Sequence, residues 1–257
     1  MLRRPALALA VVAALAVPAA ADAASWRDRE AAATRYVLDR AGVESFALVD
    51  DRGRIHQYRG WRRAPSASLL KAMLLVAYLQ RQSVRGRALT DAERSLLAPM
   101  IRWSDNTTAT RVLGIVGARG VYRVARRAQM KHFALRSPWG LSLTSARDQA
   151  RFFYRIDRLL PPRHRHFGMR LLRTIVPSQR WGIPRARPAG WRIFFKGGWG
   201  SGTGLVTHQS ALLREKGAST RLSLAVITET NPSHAYGTRT IRGVARRFLR
   251  TPLPLAP

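Results

Sequence analysis

Apolar residues recur at helical spacing near both ends of the chain and fall into strand-like runs and longer helical stripes between them. Over 26–41, Ala31, Tyr36, Val37 and Ala41 share a helical period, which predicts a first helix. Residues 43–49 form a β-rich run, Asp51-Arg52-Gly53 supplies a turn, and 55–58 returns as the second arm of a hairpin. From 66 to 175 the pattern is helical, with the stripe Leu69, Leu70, Met73, Leu74, Ala77 and Tyr78 and punctuation at Gly114, Gly117, Gly120 and Pro138. Residues 177–190 are Pro/Gly-rich and read as loop. Three strands follow, over 191–195, 203–213 and 221–228, then a helix over 238–249 with Ile241, Val244, Ala245 and Phe248 on one face. This order predicts an α+β fold, one sheet flanked by terminal helices and interrupted by an all-helical insertion, with a cleft between the two parts.

The first residues stand apart from that pattern. Arg3 and Arg4 precede an unbroken apolar stretch over 6–17, and Ala21-Asp22-Ala23 gives the small-x-small pattern that a signal peptidase reads. We therefore expect a cleaved secretory signal over 1–23, with an uncleaved anchor as the lesser alternative. The apolar run is short for a membrane span, and no other stretch approaches the required length. The expected product is secreted or held in the periplasm or cell envelope of a bacterium, with no stable membrane span after cleavage.

Composition narrows the partners. The chain has 257 residues, 46% of them hydrophobic, no cysteine, and a net charge of +31. The length suits a full-sized core, and the missing cysteines exclude disulfide scaffolds, cysteine nucleophiles and thiolate metal sites. Cleavage after Ala23 would remove two arginines and one aspartate and leave +30. Such a charge suits an anionic envelope polymer, or else reflects codon bias with no specific partner. Export argues against nucleic acid, and the arginines are scattered rather than interleaved with aromatics. Only four of the 45 basic residues are lysine: Lys71, Lys131, Lys196 and Lys216. They mark candidate places where a permanently charged guanidinium would not serve.

Three short motifs carry chemistry. In Ser68-Leu69-Leu70-Lys71, spacing of three puts the lysine amine one helical turn from the serine. A serine at a helix start can aim its own N–H at a developing oxyanion, and a desolvated lysine can take its proton. A capped helix with an exposed lysine would share this spacing. Ser104-Asp105-Asn106 opens a helical run and reads either as an N-cap or as a proton carrier followed by an amide-binding residue. Lys196-Gly197-Gly198-Trp199 ends the third predicted strand, either as a glycine-marked strand end or as a place where a substrate backbone approaches closely.

Taken together, in this order, the motifs resemble the Ser-x-x-Lys, Ser-Asp-Asn, Lys-Thr-Gly signature of the class A β-lactamases and penicillin-binding proteins. The resemblance runs over about 26–250 and includes Leu143-Thr144-Ser145-Ala146-Arg147-Asp148 and Gln179-Arg180-Trp181-Gly182-Ile183-Pro184. It implies a β-lactamase/transpeptidase-like fold, with an α/β part over 24–65 and 185–257 and an all-α part over 66–184. It implies that Ser68 is the nucleophile, Lys71 its base and Ser104 the proton carrier. Asn106 and Lys196 would bind substrate, and the oxyanion hole would be the N–H groups of Ser68 and Trp199, with Gly198 beside them. The substrate would be a small β-lactam or a peptidoglycan-like amide, and no cofactor or metal is implied.

Three departures shape that expectation. Class A enzymes use an omega-loop glutamate to activate the deacylating water, but no Asp or Glu lies between Asp105 and Asp148 here. Asp148 matches a helix start and Asp157 lies farther along the same helix. Gly197 stands where a Thr or Ser hydroxyl is usual, and the chain between Lys71 and Ser104 is short, implying a trimmed helical part. The expected activity is therefore acylation with slow release, a D-Ala-D-Ala peptidase or penicillin-binding protein being the near alternative. A non-catalytic wall-binding protein on this scaffold is the distant one. His164-Arg165-His166 reads as a surface loop rather than a metal pair, and His56, His132, His208 and His234 as structural or solvated. Trp181, Trp191 and Trp199 are candidates for the cleft lining.

Overall fold

The computed structural model describes residues 24–200 and 205–255. The expected leader over 1–23 and the expected strand start at Thr203 and Gly204 lie outside the described residues. In chain order the elements are α1 (Trp26–Leu38), β1 (Val43–Val49), β2 (Ile55–Tyr58), β3 (Arg63–Pro65), α2 (Leu70–Leu79), α3 (Gln82–Arg85), α4 (Asp91–Arg102) and α5 (Asn106–Arg127). Then come β4 (Leu143–Ser145), α6 (Ala146–Leu159), α7 (Pro162–Arg173), β5 (Trp191–Gly200), β6 (Val206–Glu215), β7 (Arg221–Glu229) and α8 (His234–Leu249). Five strands form one antiparallel sheet in the order β2-β1-β7-β6-β5.

Terminal helices α1 and α8 pack together, α1 on β2 and α8 on β6 and β7. Arg29 of α1 is buried and donates to the carbonyls of Ala24, Phe248, Arg250 and Pro252, tying the first helix to the end of the last. Against β1, β6 and β7 also lies α6, through a contact made largely of small residues: Ala47, Ala64, Ala146, Ala150 and Ala225 with Val49 and Ile227. Side chains this small let a helix approach a sheet closely.

All ten residues of α2 are buried, consistent with a helix apolar on every side, and it packs against α4, α5 and α7. Each large apolar side chain sealed there contributes about 1.5–3 kcal/mol. That surrounding also determines what happens to the one charged residue in the helix, Lys71.

Several local expectations are corrected. The strand predicted to stop at Phe195 runs to Gly200, because Gly197, Gly198 and Trp199 stay in register with Gln209, His208 and Thr207 of β6. The Lys-Gly-Gly-Trp motif therefore lies within a strand, not at its end. Residues 143–145, inside the stretch read as helical, pair with 63–65 just before it as a second, two-stranded sheet. The closing helix begins at His234, since Ser233 Oγ accepts from Tyr236 N (3.1 Å) and caps it one turn early. His164 is no surface loop residue: it is buried in α7, with Nε2 donating to Val84 O (3.0 Å). No helix among the described residues is long and apolar enough to cross a membrane.

Candidate active site

Ser68 sits in a 3₁₀ turn, Ala67–Leu69, that leads into α2. Ser66 N–H donates to Ser142 O (2.6 Å) and Leu69 N–H to Ser66 O (3.0 Å), while Ala67 takes a left-handed φ of 43°. His208 supports the approach to this turn: its Nε2–H donates to Pro65 O (2.9 Å) and its Nδ1 accepts from Thr228 N (3.2 Å). Those bonds require the neutral ring, and burial holds its pKa down at about 4.

Lys71 lies three residues on, with no exposed surface. Its amine donates to Ser104 O, to Ser104 Oγ (3.2 Å) and to Asn106 Oδ1 (2.7 Å). Burial in the apolar helix pushes its pKa down to about 8, with the charge of Asp105 working against the shift. Ser104, between α4 and α5, adopts a left-handed φ of 61° that costs a non-glycine residue roughly 1–3 kcal/mol. In that turn both its carbonyl and its hydroxyl oxygens meet the amine. The N-cap reading of Ser-Asp-Asn holds for Asp105, which caps α5 and accepts from Thr108 N and Oγ1 (2.7 Å each), while Ser104 and Asn106 accept from Lys71.

Lys196 reaches the same hydroxyl from the sheet. It is completely buried and donates to Ser104 Oγ (2.9 Å) and Gly197 O (2.7 Å). Burial first, and the neighbouring charge of Lys71 second, lower its pKa well below the usual lysine range. A hydroxyl oxygen has two lone pairs and one proton. With both lone pairs of Ser104 taken by amines, its proton remains to be given elsewhere, which is the arrangement a proton carrier needs.

Gly198 brings β5 against the Ser68 turn. A Cβ there would lie 2.9 Å from Ser68 N and 3.1 Å from Leu69 N, so only glycine lets the strand approach this closely. The cleft beyond holds about 390 Å³ and is lined by Ala67, Ser68, Asn106, Trp139 and Trp199 among others. None of its lining residues is acidic. Asp148 instead accepts from Lys131 N (2.9 Å) and His132 N (2.6 Å), and Asp157 pairs with Arg221 (3.0 Å) and Arg214 (3.6 Å).

The structure thus brings Ser68, Lys71, Ser104, Asn106, Lys196, Gly198 and Trp199 together. Of the three expected tryptophans only Trp199 lines the cleft: Trp191 is buried at the start of β5, and Trp181 packs against Trp199 instead. Sequence reasoning missed Trp139, whose ring centre lies 5.1 Å from Lys71 Nζ and whose Nε1 donates to Thr110 Oγ1 (3.0 Å). The only local signal was the preceding Pro138, which marks a chain turn but says nothing of where the indole goes.

A sequence model described as the beta-lactamase enzyme family matches residues 87–251. The chain belongs to the beta-lactamase enzyme family. No curated protein sequence matches it. Among solved structures it is similar to a beta-lactamase from Sphaerobacter thermophilus, at 21% identity and a TM-score of 0.74 over 87% of this chain and 96% of that one. It is also similar to a beta-lactamase from Xanthomonas campestris (17%, TM-score 0.73, 88% and 98% covered). PBP-A is a further likeness (19%, TM-score 0.70, 86% and 94% covered). At these identities the likeness establishes a shared beta-lactamase/transpeptidase-like fold; what this family member does with its cleft is a separate question.

Proposed function

We propose that this protein is an exported serine hydrolase that forms an acyl-enzyme at Ser68 with β-lactams or related amides and releases the acyl group slowly. The observation that carries the reading is the Lys71–Ser104–Lys196 chain, one hydroxyl shared by two desolvated amines beside the Ser68 turn. As a charged ammonium, Lys71 uses its three protons on Ser104 and Asn106. As a neutral amine it keeps two of those bonds and turns a lone pair to Ser68. Ser68 Oγ then attacks the amide carbonyl as its proton passes to Lys71. The N–H groups of Ser68 and Trp199 receive the oxyanion. Ser104 gives its proton to the leaving nitrogen and is reprotonated from Lys71, leaving an ester on Ser68.

Hydrolysis of that ester needs a water and a base. With no acidic residue lining the cleft, the ester persists, which favours a penicillin-binding or D-Ala-D-Ala peptidase-like activity over rapid β-lactam turnover. The test is intact-protein mass over time after adding a penicillin, beside Ser68→Ala. A lasting adduct present in the parent and missing from the variant supports the reading. No adduct in either sinks it.

A further inference from the structure

Trp181 packs against Trp199, which lines the Ser68 cleft, and itself lines a second cavity. A Cβ at Gly197 would lie 3.0 Å from the Trp181 ring, and the ring meets Trp199 edge-on with centroids 6.0 Å apart. It also meets His234 at 5.2 Å. Trp181 also lines a cavity of about 340 Å³ together with Arg180, Arg185, Arg239 and Arg242. Its backbone is held firmly in place. Gln209 of β6 donates to Trp181 O (3.0 Å) and accepts from Ile183 N (2.6 Å). Between them Gly182, at φ 64°, leaves no room for a side chain: its Cβ would fall 2.5 Å from Gln209 Oε1.

None of the residues lining this cavity is acidic, and none of the four arginines joins an ion pair among the described residues. Guanidiniums gathered around one hollow without a counter-ion repel each other, and their forked donors match phosphate and carboxylate oxygens. The volume corresponds to about ten waters, room for more than one oxyanion group. Gly197 offers no hydroxyl beside Lys196, and the Trp181 ring fills the space a side chain there would need. That ring in turn lines the cavity of these four arginines.

We propose that the cavity binds a multiply charged oxyanion group, phosphate or carboxylate, carried on a tail of the acylating substrate that passes Trp199 and Trp181. The substrate part of this proposal rests on the acyl-enzyme reading; the anion site does not.

The probe is inorganic tripolyphosphate, titrated calorimetrically into the full chain carrying Ser68→Ala, so that binding is read without acylation. We expect saturable one-to-one binding, weakened at least about tenfold by Arg239→Gln with Arg242→Gln. Arg35→Gln with Arg126→Gln, exposed arginines that line none of the arginine-lined cavities, is the control and leaves the affinity within about twofold. Equal loss from both pairs, or no saturable binding, overturns the anion site and leaves only the general charge of the protein. In the Ser68 protein, tripolyphosphate should raise KM for a phosphate-tailed ester and leave kcat, and the kinetics of its neutral hydroxyl-tailed homologue, unchanged. Equal effects on both esters overturn the substrate-borne source in favour of a free anion. If neither ester acylates Ser68 while tripolyphosphate still binds, the acyl-enzyme reading and the substrate part fall together and the anion site stands.

Discussion

Beside the Ser68 turn positive charge is carried by two lysines, both completely buried and hydrogen-bonded; around the cavity that Trp181 lines it is carried by four arginines with no carboxylate partner among the described residues. The difference is one of proton chemistry. An amine can be driven to give up its proton near neutral pH by taking it out of water, whereas a guanidinium keeps its charge wherever it is placed. A chain that uses arginine at 41 of its 45 basic positions has kept lysine at the two positions where the charge is fully desolvated. Lys131 and Lys216, by contrast, are exposed and show that lysine alone is no marker.

The comparison breaks most sharply at Lys71→Arg. It preserves the charge and removes the removable proton, so acylation of Ser68 by a penicillin should fall about 10²–10⁴-fold by stopped-flow or mass-resolved rates. A variant that still acylates at the parental rate would show that Lys71 is not the base. Next in size is Gly198→Ala. Its new Cβ would crowd Ser68 N at 2.9 Å, so acylation should drop about 10²-fold and chemical denaturation should show a loss of about 1–3 kcal/mol.

A smaller, more diagnostic effect is the pH profile. With the Lys71 pKa near 8, only about a tenth of the amine is neutral at pH 7, and the acylation rate should rise through pH 8 and level off above it. Trp139→Ala admits water to the amine, returning its pKa toward 10.5 and moving that rise to higher pH. An unmoved midpoint would mean that the indole does not help keep the amine dry.

The smallest effect concerns a buried acid outside the cleft. Glu44 of β1 is 4% exposed, and burial pushes its pKa up to about 7 against the pull of Arg40 and Arg59. The folded state therefore holds a proton that the unfolded chain has released between about pH 4.5 and 7, and stability falls as pH rises through that window. Glu44→Gln should unfold at higher temperature than the parent above pH 7 and match it below pH 4.5, by calorimetry. Equal melting above pH 7 would place Glu44 in better-solvated surroundings.

Much of the site was legible because its residues sit in short motifs whose spacing fixes who faces whom. Lys71 lies three positions after Ser68, and Asn106 two positions after Ser104. The overall element order was legible for a related reason, since the stripes of α2 and α8 and the runs of β1 and β7 bury their own periodicity. What stayed hidden depends on contacts between distant segments. Nothing local says that β5 continues through two glycines, because the register with β6 decides it. The indole of Trp139 was silent, and that of Trp181 was expected in the cleft, since tertiary packing alone carries one over Lys71 and the other into the wall of a second cavity. Likewise a basic residue in the first helix gives no hint that, as Arg29, it will bind the carbonyls at the end of the last.

The strand order has a consequence in time. Val43 of β1 pairs with Glu229 of β7, and the Lys196 and Gly198 wall of the cleft comes from strands that follow the helical block. A chain emerging from its N-terminus must hold β1 with one long edge unpaired until nearly all of it has been made. Contacts of such sequence separation slow folding and lengthen the interval in which an open edge can meet another chain. The cleft at Ser68 is thus among the last features the nascent protein completes: until β5 docks, Ser68 and Lys71 share a helix start but lack the wall that closes it.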